Sequence, residues 1–343
     1  MAAGVPADRC HLHGNNKTVS EIEFAIESGI NQIVVDNFEE IEVLAELAKA
    51  GKRVAELVLR LAPGVDPVTH SKISTGQADT KFGFNVADGS AEEALRRSLA
   101  HGLPVVGVHC HVGSQLLDPE AQISGGEILA TFCREMLERH GFRCEVLNVG
   151  GGLGVRYTDT DEPMDVETYC QEISAAIKRA LDGTGLEPLL VQEPGRSLVA
   201  ESGVTLYTVG AVKEVPAGDG RRTYVAVDGG LSDNPRPALY GSKYTVRAIG
   251  RSGAPKTVTV SGKHCETDRL FPDIVLPNDL QRGDLVQVLC TGAYNSSMAS
   301  NYNRYPRPAT ALVREDGSHM LVQRRDAWDE MFARETVPPE VTG

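Results

Sequence analysis

The run Asn148-Val149-Gly150-Gly151-Gly152-Leu153-Gly154 follows an apolar stretch and precedes a segment that turns helical. Three successive glycines let backbone N–H groups converge on an anion with no Cβ in the way, which suits a phosphate; the plainer alternative is a tight strand-to-helix turn. The run is neither a Walker A loop nor GxGxxG, so nucleotide readings have little support. His109-Cys110-His111 closes another apolar run, and strand alternation points both imidazoles to one side. They could ligate a metal together with His13, Asp36 and Glu193, pack flat against an aromatic cofactor, or be satisfied core histidines. Ser114, close behind, offers a hydroxyl to a phosphate, and a glycine anion nest has no use in a bare metal site. The cofactor reading is therefore preferred.

Glu193-Pro194-Gly195-Arg196 places a carboxylate, a turn and a guanidinium in succession. A buried carboxylate facing a ring nitrogen would keep a cofactor protonated and electron-withdrawing; the alternative is an ordinary Glu–Arg pair closing a turn. Arg60 ends a further run and could serve phosphate or ring, or be a rim charge. Arg236 and Tyr240 lie in the proline-stiffened segment DNPRPALY, where a held guanidinium suits a substrate carboxylate. Cys265, followed by Glu266, could donate a proton or act as a nucleophile, although most lone cysteines are inert packing. Residues 291–303, which include Tyr294, are too rich in specific side chains for a linker and read as a site-lining loop. There is no Gly-x-Ser-x-Gly elbow of a serine hydrolase.

Positioning these groups requires a framework. Apolar runs at 10–13, 32–36, 56–62, 105–111, 145–149 and 189–193 alternate with helical patterns at 20–28, 39–50, 91–101, 123–140 and 165–181. That cadence gives parallel βα units with buried strands. Every run closes on polar or glycine residues, as the carboxyl ends of barrel strands do, so a barrel is preferred to an open doubly wound sheet. Beyond about residue 200 the texture changes to strand-like segments at 205–214, 223–228, 256–261, 284–289 and 309–313, with a short helix at 325–335 and a frayed tail at 338–343. The expected domains are 1–204, a βα barrel, and 205–343, a β domain.

Of the 343 residues 41% are hydrophobic and 24% charged, which fits a folded chain of about two domains. A net charge of −13 argues against nucleic-acid and anionic-membrane surfaces. No apolar run is long enough to span a bilayer, and residues 1–10 lack the basic start and apolar run expected of a signal peptide. Seven scattered cysteines without a CxxC pair read as reduced thiols in a cytoplasm.

HGNNK (13–17), HCHVGSQ (109–115), NVGGGLG (148–154), EPGR (193–196), DNPRPALYG (233–241), GKHCE (262–266) and GAYNSSMASNYN (292–303), in this order, resemble the diaminopimelate decarboxylases. These are fold-type III enzymes dependent on pyridoxal 5′-phosphate (PLP), and the likeness runs from about residue 9 to about residue 335. The resemblance implies a PLP-binding (β/α)8-type barrel followed by a Greek-key-like β domain. The implied activity is decarboxylation of meso-diaminopimelate to L-lysine. His111 would stack on the ring, Ser114 with Gly150, Gly151 and Gly152 would hold the phosphate, and Glu193 would pair with the pyridine nitrogen. Arg60, Pro194, Gly195, Arg196 and Tyr294 complete the implied cofactor site. Arg196, Arg236, Tyr240, Glu266 and Tyr294 would bind substrate, and Cys265 would be the proton donor. The family supplies Cys265 and Glu266 across a dimer interface, so a homodimer is implied.

The sequence departs from the family at one point. The family carries its Schiff-base lysine on the first barrel strand, ahead of HGNNK; only residues 1–12 precede His13 here, and none is Lys. Lys17 is the lysine nearest a strand end but matches another family position. The expectation is a truncated barrel lacking about its first two strands, with little or no activity as written. The alternatives are a non-catalytic partner of an intact subunit, a decarboxylase of another basic amino acid, and a metal-dependent hydrolase.

Overall fold

Strong helix signals punctuate the first half of the chain. Helix α1 (Val19–Ser28) opens on a reciprocal Thr18/Glu21 capping box and stops at Gly29, whose φ is +74°. Helix α2 (Phe38–Lys49) is capped by Asn37, and α5 (Val166–Leu181) by Asp165. Helices α3 (Ser90–Ala100) and α4 (Glu120–His140) complete the set. The structure, a computed structural model, describes residues 2–65, 80–267 and 269–336. The expected tail at 338–343 lies outside them.

Between the helices run β1 (His11–Leu12), β2 (Gln32–Val35), β3 (Glu56–Ala62), β4 (Phe84–Asn85), β5 (Val105–His109), β6 (Val146–Asn148) and β7 (Leu189–Val191). They form a parallel sheet in the order β1-β2-β3-β5-β6-β7, with β4 paired to the end of β3. Strand β2 is buried at all four positions, as expected where helices cover one face and the other is also filled. The core joins Ile33, Val35, Leu57, Leu59 and Leu147 of the strands to Ile22, Ile41, Leu44, Leu95, Leu129, Met136 and Ile173 of the helices. All six expected strands and five expected helices of this region are present. The run expected to continue to 111 leaves the sheet at His109, so alternation no longer governs His111.

Contacts divide the chain into one unit of Met1–Val155 and Glu162–Gly195 and a second of Arg156–Asp161 and Arg196–Gly343. In the second, β8 (Thr205–Ala217), β9 (Gly220–Val227), β10 (Val246–Ile249), β11 (Pro255–Ser261), β12 (Phe271–Pro277) and β13 (Leu285–Val288) form a mixed sheet in the order β10-β13-β8-β9-β11-β12. The β9–β11 pair is parallel and the rest antiparallel; edge strands β10 and β12 also come into contact. A hairpin of β14 (Thr310–Val313) and β15 (His319–Gln323) and the short helices α6 (Arg196–Val199), α7 (Arg236–Tyr240), α8 (Asn295–Met298) and α9 (Trp328–Phe332) complete the unit. Strands β10, β12 and β15 are not foreseen in the sequence. β12 is an edge strand that carries Pro272 and Asp273, which weaken a strand pattern, and β15 is a short hairpin strand whose Met320, Leu321 and Val322 stay exposed. The helix expected at 325–335 is confined to Trp328–Phe332.

Candidate active site

Strand register aligns the chemistry of the first unit. Arg60 on β3 pairs with His109 on β5, His109 with Asn148 on β6, and Asn148 with Val191 on β7. Neighbours in one row share a face, and Glu193, two residues past Val191, has the same parity. Glu193 accepts hydrogen bonds from His13 Nε2 (3.1 Å), His109 Nε2 (3.2 Å) and Asn148 Nδ2 (2.9 Å). Burial pushes the Glu193 carboxyl up, but the hydrogen bonds from His109 and His13 outweigh it and hold it well below the usual carboxylate range. His109 is buried, and burial lowers its pKa, so the ring is neutral and Nε2–H is the donor to Glu193.

The glycine turn packs against this cluster. A Cβ at Gly150 would lie 2.4 Å from the Cys110 carbonyl, one at Gly151 2.2 Å from the Glu193 carbonyl, and one at Gly152 2.7 Å from the Gly113 carbonyl. The glycines thus make room for the loops after β5 and β7, rather than only for an anion. His111 is exposed and lies against Gly150. Ser114 is exposed in the same loop. Gly151 is a buried residue whose N–H has no acceptor among the described residues. An orphaned buried donor is rare in folded proteins and marks a place for an anionic partner. The ionised, partly exposed Glu193 is likewise the acceptor a pyridinium N–H needs, so these residues fit a pyridine phosphate.

Arg60 lies 4.2 Å over the Phe82 ring and 3.6 Å from Asp36, which accepts from Gly83 N at 3.0 Å. Lys17 is wholly committed: its buried ammonium meets Glu40 at 2.7 Å and donates to the Gly14 and Val34 carbonyls at 2.7 and 2.8 Å. Among the histidines considered as metal ligands, the group that converges is His13, His109 and Glu193, with ligand atoms within 4.8 Å of one another; His111 is not part of it. Pro194 and Gly195 are exposed where the chain leaves the first unit.

In the second unit the buried guanidiniums of Arg196 and Arg236 lie 4.7 and 4.6 Å from the centroid of one ring, Tyr294. Arg196 donates to Tyr157 Oη at 2.5 Å, and Arg236 to Tyr244 Oη at 3.0 Å and Ser242 Oγ at 3.4 Å. Arg236 makes no ion pair among the described residues. Tyr294 is held at φ +70°, ψ −41°, a strained conformation for a side-chain-bearing residue and one that recurs at functional sites. Tyr240 is exposed, its ring 5.5 Å from Arg236. Asn303 Nδ2 donates to the Cys265 thiol at 3.3 Å, and Glu266 lies 3.8 Å from the same sulfur. Tyr302 donates its hydroxyl to Glu266, and that bond pushes the phenol up to about 12.

Sequence reasoning did not assign roles to Asn148, Tyr157 or Tyr244. Asn148 could have been found from its row with His109; the two tyrosines carry no local signal.

The pyridoxal-binding domain of the pyridoxal-dependent decarboxylases matches residues 1–200. The diaminopimelate decarboxylase of Bacillus subtilis (strain 168) is 47% identical over 329 residues, covering 94% of this chain and 74% of that protein. The chain belongs to the diaminopimelate decarboxylase family. The crystal structure of the M. jannaschii diaminopimelate decarboxylase in complex with L-lysine superposes with a TM-score of 0.91 at 34% identity, covering 99% of this chain and 77% of that one. That from Helicobacter pylori, also complexed with L-lysine, gives 0.84 at 32% identity, covering 97% and 80%. The chain is therefore a carboxy-lyase of the PLP-dependent class, and its curved parallel sheet followed by a mixed-sheet unit is the fold-type III architecture. No described helix is long and apolar enough to cross a membrane.

Proposed function

We propose that the chain's residues are arranged for decarboxylation of meso-diaminopimelate to L-lysine and CO₂. The observation that carries this is Arg236: a buried guanidinium whose hydrogen-bond partners among the described residues are hydroxyls needs an anion, and a substrate carboxylate supplies one.

Bound PLP supplies an electron-accepting ring for the electron pair left behind when CO₂ departs. Glu193, kept ionised, holds a proton at the pyridine nitrogen. His111 covers the ring; Ser114 and the Gly150, Gly151 and Gly152 turn take the phosphate, with Gly151 N–H as one donor. Arg60, Pro194 and Gly195 belong to the cofactor's surroundings in this reading. Arg196, Arg236, Tyr240, Tyr294 and Glu266 orient the substrate's carboxylates and distal amine. Cys265 delivers its thiol proton to the α-carbon after the C–CO₂ bond breaks, with Asn303 and Glu266 fixing the sulfur's position. Cys265 and Glu266, both exposed, act in the partner's site of a homodimer working in the cytoplasm.

The parallel sheet is the larger part of an eight-stranded barrel, since β1 and β7 each keep one unpaired edge among the described residues and about two strands would close it. This chain turns over only at a trace rate, because Lys17 is occupied by Glu40 and two carbonyls and cannot link covalently to the cofactor. Reconstitution with PLP followed by meso-diaminopimelate tests both halves. L-lysine and meso-diaminopimelate should bind by calorimetry, with no borohydride-trapped cofactor and only trace lysine formed. Rapid lysine release with trapped cofactor would overturn the inactivity; absence of binding by either amino acid would overturn the substrate assignment.

A further inference from the structure

We propose that Gln122 is a positioning residue for the cofactor's phosphate, held in turn by Tyr169. Gln122 belongs to α4 and Tyr169 to α5; both are buried, and neither lies in a motif singled out from the sequence. Gln122 Nε2 donates to two consecutive carbonyls of the glycine turn, Val149 at 2.8 Å and Gly150 at 3.3 Å. Its Oε1 accepts the Tyr169 hydroxyl, which fixes the amide's orientation. The Gly150 carbonyl also accepts from Glu193 N at 2.9 Å, and Gly150 N donates to Asn148 Oδ1 at 2.8 Å.

A trans peptide directs its C=O and N–H oppositely. Drawing the Gly150 carbonyl toward Gln122 therefore turns the N–H of the same peptide, that of Gly151, away from α4. This is the buried donor that has no acceptor among the described residues. Gly150, at φ +71°, has a wide conformational choice, so the turn does not hold this orientation by itself. Through the Gly150 carbonyl the same amide is tied to the backbone of Glu193, whose side chain Asn148 fixes at 2.9 Å. The Glu193 carboxylate is held independently by His13, His109 and Asn148, so Gln122 sets the phosphate donor and leaves the ring partner in place.

The proposal rests on the cofactor reading, and its test separates the two. Affinities for PLP and for pyridoxal, which lacks the phosphate, are measured by equilibrium dialysis on the wild-type chain, Gln122→Leu and Tyr169→Phe. Amide hydrogen exchange of Gly150 and Glu193, which donate to Asn148 Oδ1 and to the Gly150 carbonyl, is followed by NMR in the cofactor-free proteins. Gln122→Leu should weaken PLP about tenfold and leave pyridoxal unchanged, and Tyr169→Phe should do the same more weakly, about threefold. In both variants the Gly150 and Glu193 amides should exchange faster while those of β8 and β9 keep wild-type rates. Equal losses for both ligands, or unaltered exchange of the Gly150 and Glu193 amides, would overturn the proposal. A wild-type chain that binds no PLP would overturn the cofactor reading instead, and the exchange measurement then decides this one. Tyr169→Phe, which keeps Gln122 and removes one hydroxyl, serves if Gln122→Leu does not fold.

Discussion

His13, just past the first strand, lies 3.1 Å from Glu193, just past the last. Six strands in the order β1-β2-β3-β5-β6-β7, laid flat at about 4.8 Å spacing, would put those strands roughly 24 Å apart. The sheet must therefore curl until the carboxyl ends of its edges face one another. His109, from the middle of the sheet, meets the same carboxylate at 3.2 Å, so Glu193 ties the concave face together.

That tie is pH-sensitive in a defined direction. Burial lowers His109 below its ordinary 6.5, so below that pH the unfolded chain takes up a proton that the folded chain refuses. Stability should fall as pH drops from 7 to 5, by up to about 1.4 kcal/mol per unit of difference. His11 and His111, also lowered by burial, act with the same sign. Glu193, held below 4.5, contributes stability above that pH and loses it only as the medium becomes more acidic still. Urea midpoints against pH should flatten between 7 and 5 in His109→Gln; an unchanged slope would contradict this.

Replacing Gly150 tests the convergence of the loops. Ala at φ +71°, with its Cβ 2.4 Å from the Cys110 carbonyl, should cost roughly 2–4 kcal/mol. Gly141→Ala, at φ +66° with open space around it, should cost only about 1–2 kcal/mol. Denaturant titration of both variants gives the comparison, and equal losses would refute the packing argument.

The Lys17–Glu40 pair, 2.7 Å apart, is almost completely withdrawn from solvent. Glu40 also accepts from Lys17 N at 3.2 Å and Asp36 N at 2.9 Å, so it clamps the ends of the first two strands. Lys17→Met alone should cost about 3–5 kcal/mol by stranding a buried carboxylate. Adding Glu40→Gln should restore part of that loss. A double-mutant cycle showing simple additivity would count against the pair.

Arg236 makes a prediction of opposite signs for stability and binding. Without a bound anion, a buried guanidinium paired with hydroxyls is a burden, so Arg236→Met should raise the unfolding midpoint, by about 1 kcal/mol. The same change should weaken L-lysine about 10–100-fold, the loss expected of a charge-assisted contact. Calorimetry and thermal melts on one pair of proteins read both quantities; a variant less stable yet still binding would refute the assignment.

Local pattern determined much of this protein. The alternation of buried runs with capped helices marked all six strands of the parallel sheet's main path and their helices, because periodicity and capping are properties of neighbouring residues. It also marked Glu193, His109, His111 and the three glycines as residues of interest. Tertiary structure decided which of them meet. Register aligned Asn148 with His109, curling brought His13 to Glu193, and the end of β5 released His111 toward Gly150. Tyr157 and Tyr244, which receive the two guanidinium hydrogen bonds, and Gln122 beneath the glycine turn carry no sequence signal, since each acts on a partner distant in the chain. Side-chain type and period are written locally; the meeting of distant side chains depends on twist, curvature and register, which only the packed sheet supplies.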